Sequence, residues 1–201
     1  MMRNAESPRP LRADARRNRV QVLATAQQVF ADQGLSASME EIARQAGVGV
    51  GTLYRHFPTK EALFEAIAHI RIKKMEEEAR ALSSSSEPGK AFFDYFDRMI
   101  SESQSKIDFL GDLLSVGIDI KASLNKSYEG VWAAVGELLI NAQNCGAVRN
   151  DISIHEIERL LIGLMRAFDF HAPNEKKVRE NLILIITDGL KTHLSKNRTS
   201  S

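Results

Sequence analysis

The sequence predicts an all-α chain in which a short N-terminal group of helices is joined by a long helix to a larger helical region. Three observations carry this. Apolar residues recur at steps of three and four in almost every segment, no segment sustains period-two alternation, and the breaks fall on Gly, Pro and Ser, residues that end helices or turn the chain.

The elements follow in order. Residues 1–12 hold Pro8, Pro10 and arginines without periodicity and are predicted to be a disordered basic arm, either a solvated tail or a segment adding phosphate contacts. From Ala13 the pattern is helical, with Val20, Leu23, Ala24, Gln27 and Phe30 on one stripe and Val22, Ala26 and Val29 beside it. Gly34 is expected to cap that helix. Ser38-Met39-Glu40-Glu41 fits the capping-box pattern, in which a serine oxygen and a glutamate three residues later satisfy each other's backbone N–H groups. A second helix of about eight residues therefore starts there, with Ile42, Ala43 and Ala46 inward, and ends before Gly47. The glycine-rich stretch 47–51 reads as a turn, and Thr52 to Phe57 as a third helix with Leu53 and Phe57 inward, stopped by Pro58. Thr59 caps a long helix that places Ala62, Leu63, Ala66, Ile67 and Ile70 on one face and runs to Leu82.

The serine run closed by Pro88-Gly89 reads as the clearest linker. Beyond it, apolar spacing predicts helices around Phe92 to Ile100, Ile107 to Leu114, Leu124 to Cys145, Ile154 to His171 and Asn174 to Leu194, with Gly146 as a cap. The organisation expected is thus an arm (1–12), a helix-turn-helix domain with its linking helix (13–82), a helical domain (83–195) and a disordered tail (196–201).

Composition narrows the function classes. With 201 residues, 43% hydrophobic and 26% charged, the chain can bury a core and is neither a disordered nor a membrane-embedded type. Its strongest apolar runs, such as Leu182 to Ile186, fall far short of the ~18 residues of a spanning helix. Residues 1–19 lack the apolar centre of a secretion signal, so a cytoplasmic location is expected. Cys145 is the one cysteine, which removes intrachain disulfides and cysteine-cluster metal sites. No histidine pair at i, i+4 accompanies a carboxylate, and no nucleophile elbow, phosphate-binding glycine loop or zinc-protease motif occurs. No catalytic residue, metal or cofactor is therefore expected.

Net charge is only +1, yet it is polarised. Residues 1–74 carry 12 Lys+Arg against 7 Asp+Glu (+5) and the remainder 15 against 19 (−4). A basic segment of this kind suits a polyanion. The basic segment also holds the short helix, glycine turn and short helix of a helix-turn-helix, whose second helix offers Gly49, Gly51, Thr52, Tyr54, Arg55 and His56 for phosphate and base contacts.

The stretch from Ala24 to Ile67, above all Gly51-Thr52-Leu53-Tyr54-Arg55-His56-Phe57 followed by Lys60-Glu61-Ala62-Leu63, resembles the N-terminal DNA-binding domain of the TetR family of bacterial transcriptional regulators. The resemblance implies that Ser38 contacts a phosphate besides capping, and that Gly49, Val50, Gly51 and Thr52 sit at the major groove with Thr52 the base reader. It further implies that Tyr54 and His56 touch the DNA backbone, that Lys60 meets a phosphate, and that Arg55 helps to specify sequence. Arg44 is a phosphate candidate or a solvated residue. Glu40 departs from relatives with a basic residue there, because a carboxylate repels phosphate.

For the remainder, the resemblance implies an all-helical domain that binds an effector and dimerises. Phe92, Phe96, Met99, Phe109, Leu113, Trp132, Met165 and Phe168 are the candidates for an apolar or aromatic ligand, or are simply core. Ile157, Leu160, Leu161, Leu164, Leu182, Ile186 and Leu190 are the candidates for an intersubunit helix bundle, or are again core. The expected partners are an operator in double-stranded DNA, a second copy of the chain and a small-molecule effector; no membrane is expected. The reading is a ligand-responsive repressor, with an activator, a chromosome-associated DNA-binding protein or a helical ligand-binding or enzymatic protein as alternatives.

Overall fold

The computed structural model describes residues 9–101, 121–167 and 175–192. Its α-helices there are α1 (Arg9–Gln33), α2 (Met39–Gln45), α3 (Val50–His56), α4 (Lys60–Leu82), α5 (Pro88–Ser101), α6 (Lys121–Asn144), α7 (Ile154–Ala167) and α8 (Glu175–Leu190), with a 3₁₀ turn at Gly34–Ser36. Among the described residues the backbone forms no strand, only an isolated antiparallel bridge between Val148 and Lys191. No helix described is long and apolar enough to cross a membrane. The expected helix around Ile107 to Leu114 lies outside the described residues.

The described residues fall into two compact units, 9–70 with 121–124, and 71–101 with 125–167 and 175–192. The division lies inside α4, not at the serine loop. The C-terminal half of α4 serves the second unit: the Tyr95 hydroxyl donates to the Met75 carbonyl at 2.8 Å, and Arg80 lies 3.7 Å from Glu137.

In the first unit α1 packs on α2 and α3 through Val22, Leu23, Ala26, Val29 and Phe30, all buried. The inward stripe is set by Val22, while Val20 stays 60% exposed. Two adjacent stripes satisfied the same spacing, and only packing chose between them. The helix already includes residues 9–12, ahead of the expected Ala13. Gly34 adopts φ +70 and ends the helix as expected. On α4, Leu63, Phe64, Ile67 and Ala68 are buried and Ile70 is exposed, so the inward face lies one residue away from the predicted one.

In the second unit α5 packs against α7 and α8. Its core joins Phe92, Tyr95, Phe96 and Ile100 of α5 to Val131, Val135, Leu138 and Leu139 of α6 and Ile157 and Leu161 of α7. Pro88 and Gly89, expected in a linker, open α5, with Gly89 buried against Ala147. The serine loop is tied down where Asn141 donates to the Ser83 carbonyl at 3.1 Å. Gly146, at φ +77, ends α6.

Candidate nucleic-acid interface

The first unit builds its candidate surface from α2, the turn after it, and α3. Ser38 has the extended backbone of an N-cap, φ −83 and ψ 157, and its Oγ accepts from the Glu41 N–H at 3.1 Å. The reciprocal half of the expected capping box is replaced. The Glu41 carboxylate accepts instead from Arg44 Nε at 2.8 Å, Arg44 Nη2 at 2.6 Å and Gln45 Nε2 at 2.6 Å. The hydrogen bonds from Arg44 and then Gln45 lower its pKa from 4.5 to about 2. An arginine fork beside a carboxylate outcompetes a single distant backbone N–H.

The turn is a Schellman motif. Gly47 stands at φ +65, its N–H bonds to the Arg44 carbonyl at 3.2 Å, and the Val48 N–H bonds to the Ala43 carbonyl at 3.0 Å. Gly49 then caps α3, its carbonyl accepting from the N–H groups of Thr52 at 2.8 Å and Leu53 at 3.1 Å. The helix therefore starts at Val50, two residues before the sequence expectation, and contains Gly51. Glycine within a helix costs roughly 1 kcal/mol, and the fully buried Leu53 with Phe57 behind it supplies more than that in packing.

Burying Leu53 and Phe57 fixes what α3 presents outward. Val50, Gly51, Tyr54 and Arg55 are exposed, with Val50 at 40% and Tyr54 at 39%, one turn apart. Gly49, Ser38 and Arg44 are exposed as well, and Thr52, His56 and Lys60 are half-buried. No other group lies within 4 Å of where a Gly51 Cβ would stand. Tyr54 donates its hydroxyl to Glu40 Oε1 at 3.3 Å, joining α3 to the first turn of α2. Burial, and then the charge and hydrogen bond of Glu40, raise the Tyr54 pKa.

Lys60 lies just beyond, its Nζ 5.9 Å from the ring centroids of both Phe30 and Phe64, which stand 4.4 Å apart. Burial lowers its pKa and the Glu61 charge opposes the change. Arg19 of α1 lies 5.2 Å over the Phe57 ring and brings a guanidinium to this unit that motif reasoning missed.

The second unit has a small cavity of about 50 Å³ lined by Met75, Met99, Tyr128, Val131, Trp132, Leu161 and Ile162. Of the pocket candidates, Met99 and Trp132 line it. Phe92 and Phe96 do not: they are 1% and 2% exposed and stack on one another within the core. Phe109, Leu113 and Phe168, and the side chain of Met165, lie outside the described residues. Burial raises the Tyr128 pKa, opposed by the charge of Arg71.

The interface candidates divide as well. Ile157, Leu161, Leu164 and Leu190 are buried within the single chain, so they have no apolar surface left for a partner. Leu160, Leu182 and Ile186 are half-buried. Among the described residues, the large apolar side chains these helices expose are Ile162, Val178, Leu184 and Ile185, the last two at 61% and 67%. Helical periodicity shows that a helix has an excess of apolar surface; which residues the chain uses itself is settled only by packing.

Comparison with known proteins agrees with this architecture. Residues 22–67 match the family model described as "Bacterial regulatory proteins, tetR family", and residues 87–192 match "Transcriptional regulator SbtR-like, C-terminal domain". A TetR transcription regulatory protein from Mycobacterium vanbaalenii is 38% identical, with a TM-score of 0.71 over 91% of this chain and 100% of its own. A TetR transcriptional regulator from Streptomyces coelicolor is 31% identical, with a TM-score of 0.66 over 86% and 98%. The HTH-type transcriptional regulator UidR of Escherichia coli is 29% identical over 164 residues, 77% of this chain and 81% of its own. With two family models matched along the chain and relatives matched over 81% or more of their own length, the chain belongs to the TetR family and is a non-enzymatic, DNA-binding transcriptional regulator.

Proposed function

We propose that the chain is a ligand-responsive repressor that binds a pseudo-palindromic operator as a homodimer in the cytoplasm. The observation that carries this is the outward face of α3, where Val50, Gly51, Tyr54 and Arg55 stand exposed over an anchored Leu53 with Thr52 beside them. That combination suits a major groove: a valine for thymine methyls, an arginine for guanine or phosphate, and a glycine that permits close approach. Ser38, Gly49, His56, Lys60 and Arg44 supply the phosphate contacts in this reading.

One helix-turn-helix reads only a few base pairs, and two-fold pairing sets two such helices about 34 Å apart on one face of the duplex. Val178, Leu184 and Ile185 of α8, with Ile162 of α7, are the surface we assign to the second copy. The cavity at Met75, Met99, Tyr128 and Trp132 is the core of the effector site, its two methionines able to reshape around an apolar guest. Because Met75 belongs to α4, the helix that begins at Lys60, an effector there changes the equilibrium between DNA-competent and incompetent states, and ligand and operator weaken each other by one coupling energy.

Selection of bound fragments from the source genome, with the protein's mass in solution measured by light scattering, tests this. One or a few two-fold symmetric sites bound by a dimer support it. A monomer at that site, or many dispersed asymmetric sites, contradicts it.

A further inference from the structure

The carboxylate of Glu40 has no place in a face built only to meet phosphate, and its geometry gives it another use. Tyr54 has one hydroxyl proton, and that proton points at Glu40 Oε1, 3.3 Å away. A carboxylate has none. Together the two side chains present oxygen lone pairs and no donor. The guanidinium of Arg44 is engaged elsewhere: it places Nε and Nη2 on Glu41, which also takes Gln45. Both members of the pair are exposed, and Tyr54 shares its face with Val50.

Phosphate oxygens also only accept, so this patch repels a backbone that approaches it. The hydrogen-bond donors on base edges in the major groove are the N4 amino group of cytosine and the N6 amino group of adenine. Adenine carries its N7 acceptor beside the amino group, which an acceptor-only patch disfavours, whereas the cytosine edge has none. We propose that the Glu40–Tyr54 pair is a base-reading element, in which the carboxylate accepts a hydrogen bond from a cytosine N4 amino group while Tyr54 fixes its position. The pair thereby weakens binding held by phosphates alone and favours sites with cytosine at one position. This rests on the reading that the α2–α3 face meets DNA.

The experiment uses the full-length protein and a duplex library with randomised positions, comparing wild type with Glu40→Ala, Glu40→Gln and Tyr54→Phe. The affinity of each for a random-sequence duplex is measured in parallel by fluorescence anisotropy. In the wild type, cytosine is preferred by about 10-fold at one position of each half-site, a typical value for one good side-chain–base contact. Glu40→Ala erases the preference at that position alone and binds random DNA more tightly. Glu40→Gln moves the preference toward adenine, whose N6 and N7 match an amide. Tyr54→Phe keeps a reduced cytosine preference, while a misfolded variant would lose every position at once. A wild type without the cytosine preference, or Glu40 variants with the wild-type profile at every position, overturns the proposal. Failure of all proteins to select any site overturns the reading of the face itself.

Discussion

Gly89, in the first turn of α5, lies against Ala147 so closely that a methyl group on Gly89 would collide with the Ala147 side chain. The neighbour is a short side chain on a turn fixed by hydrogen bonds from the Ala147 and Val148 N–H groups to the Ala142 carbonyl, at 3.0 and 3.2 Å. It has no room to swing aside. Gly89→Ala is therefore expected to destabilise the protein by about 1–3 kcal/mol, the usual cost of overpacking, read from urea unfolding. Gly130→Ala is the contrast: its methyl would stand 2.6 Å from Glu76 Oε2, the end of a flexible side chain that can move at small cost. It should unfold close to the wild type.

Gly51 gives the opposite sign. No other group lies within 4 Å of a Cβ there, and the residue sits within α3. Gly51→Ala is expected to stabilise the fold by roughly 0.5–1 kcal/mol through helix propensity, raising Tm, while lowering operator affinity because a methyl now stands between helix backbone and groove. Thermal unfolding and anisotropy on one protein sample check both directions.

Glu41 sets a pH dependence. Arg44 and Gln45 hold its pKa near 2, below the ordinary 4.5. The folded form is the stronger acid, so the native state gains from these hydrogen bonds above about pH 4.5 and loses that gain as the pH falls toward 2. Glu41→Gln removes the titrating group, and its unfolding midpoint should fall less between pH 5 and pH 2 than that of the wild type. Glu41 is half-buried and its partner Arg44 exposed, so the wild type should be the more stable of the two at pH 7, by a small margin.

Leu184 and Ile185 test the assigned dimer surface without touching the core, since both are more than half exposed. Replacing both by Glu is expected to give a folded monomer by light scattering and helical circular dichroism, with weakened operator binding. An unchanged dimer would place the interface elsewhere.

How far the sequence carried each part depends on what kind of information it held. The turn after α2 was legible because glycine adopts φ +65 at the least cost of any residue, and Gly47 stands where a left-handed residue is needed. The helix caps Ser38 and Thr59 were legible for a related reason: their hydroxyls have a local partner, the Ala62 N–H lying 3.1 Å from Thr59 Oγ1. Inward faces were legible to within one residue on α4, where Phe64 and Ala68 are buried beside Leu63 and Ile67 while Ile70 is exposed. The start of α3 and the role of Gly89 escape sequence patterning because a glycine reads as a break, whereas Gly49 is a cap and Gly89 a point of close approach. The Glu40–Tyr54 contact joins residues 14 apart in sequence. No local pattern announces it, and Glu40 could be recognised only as an anomaly. The aromatic residues of the second unit were hardest, since a core and a cavity use the same side chains and only the fold separates Phe92 from Trp132.

In the proposed function, α3 and the start of α4 form the DNA-reading surface, with Lys60 on phosphate and Thr52 on a base. The most direct measurement is the salt dependence of operator binding by wild type, Lys60→Met and Thr52→Val, each also tested against operators changed one base pair at a time. Lys60→Met should weaken binding to all sequences alike and reduce the slope of log K against log salt by about 1. Thr52→Val should keep the wild-type slope and alter preference at one or two base pairs. Wild-type slopes and wild-type preferences in both variants would contradict the account.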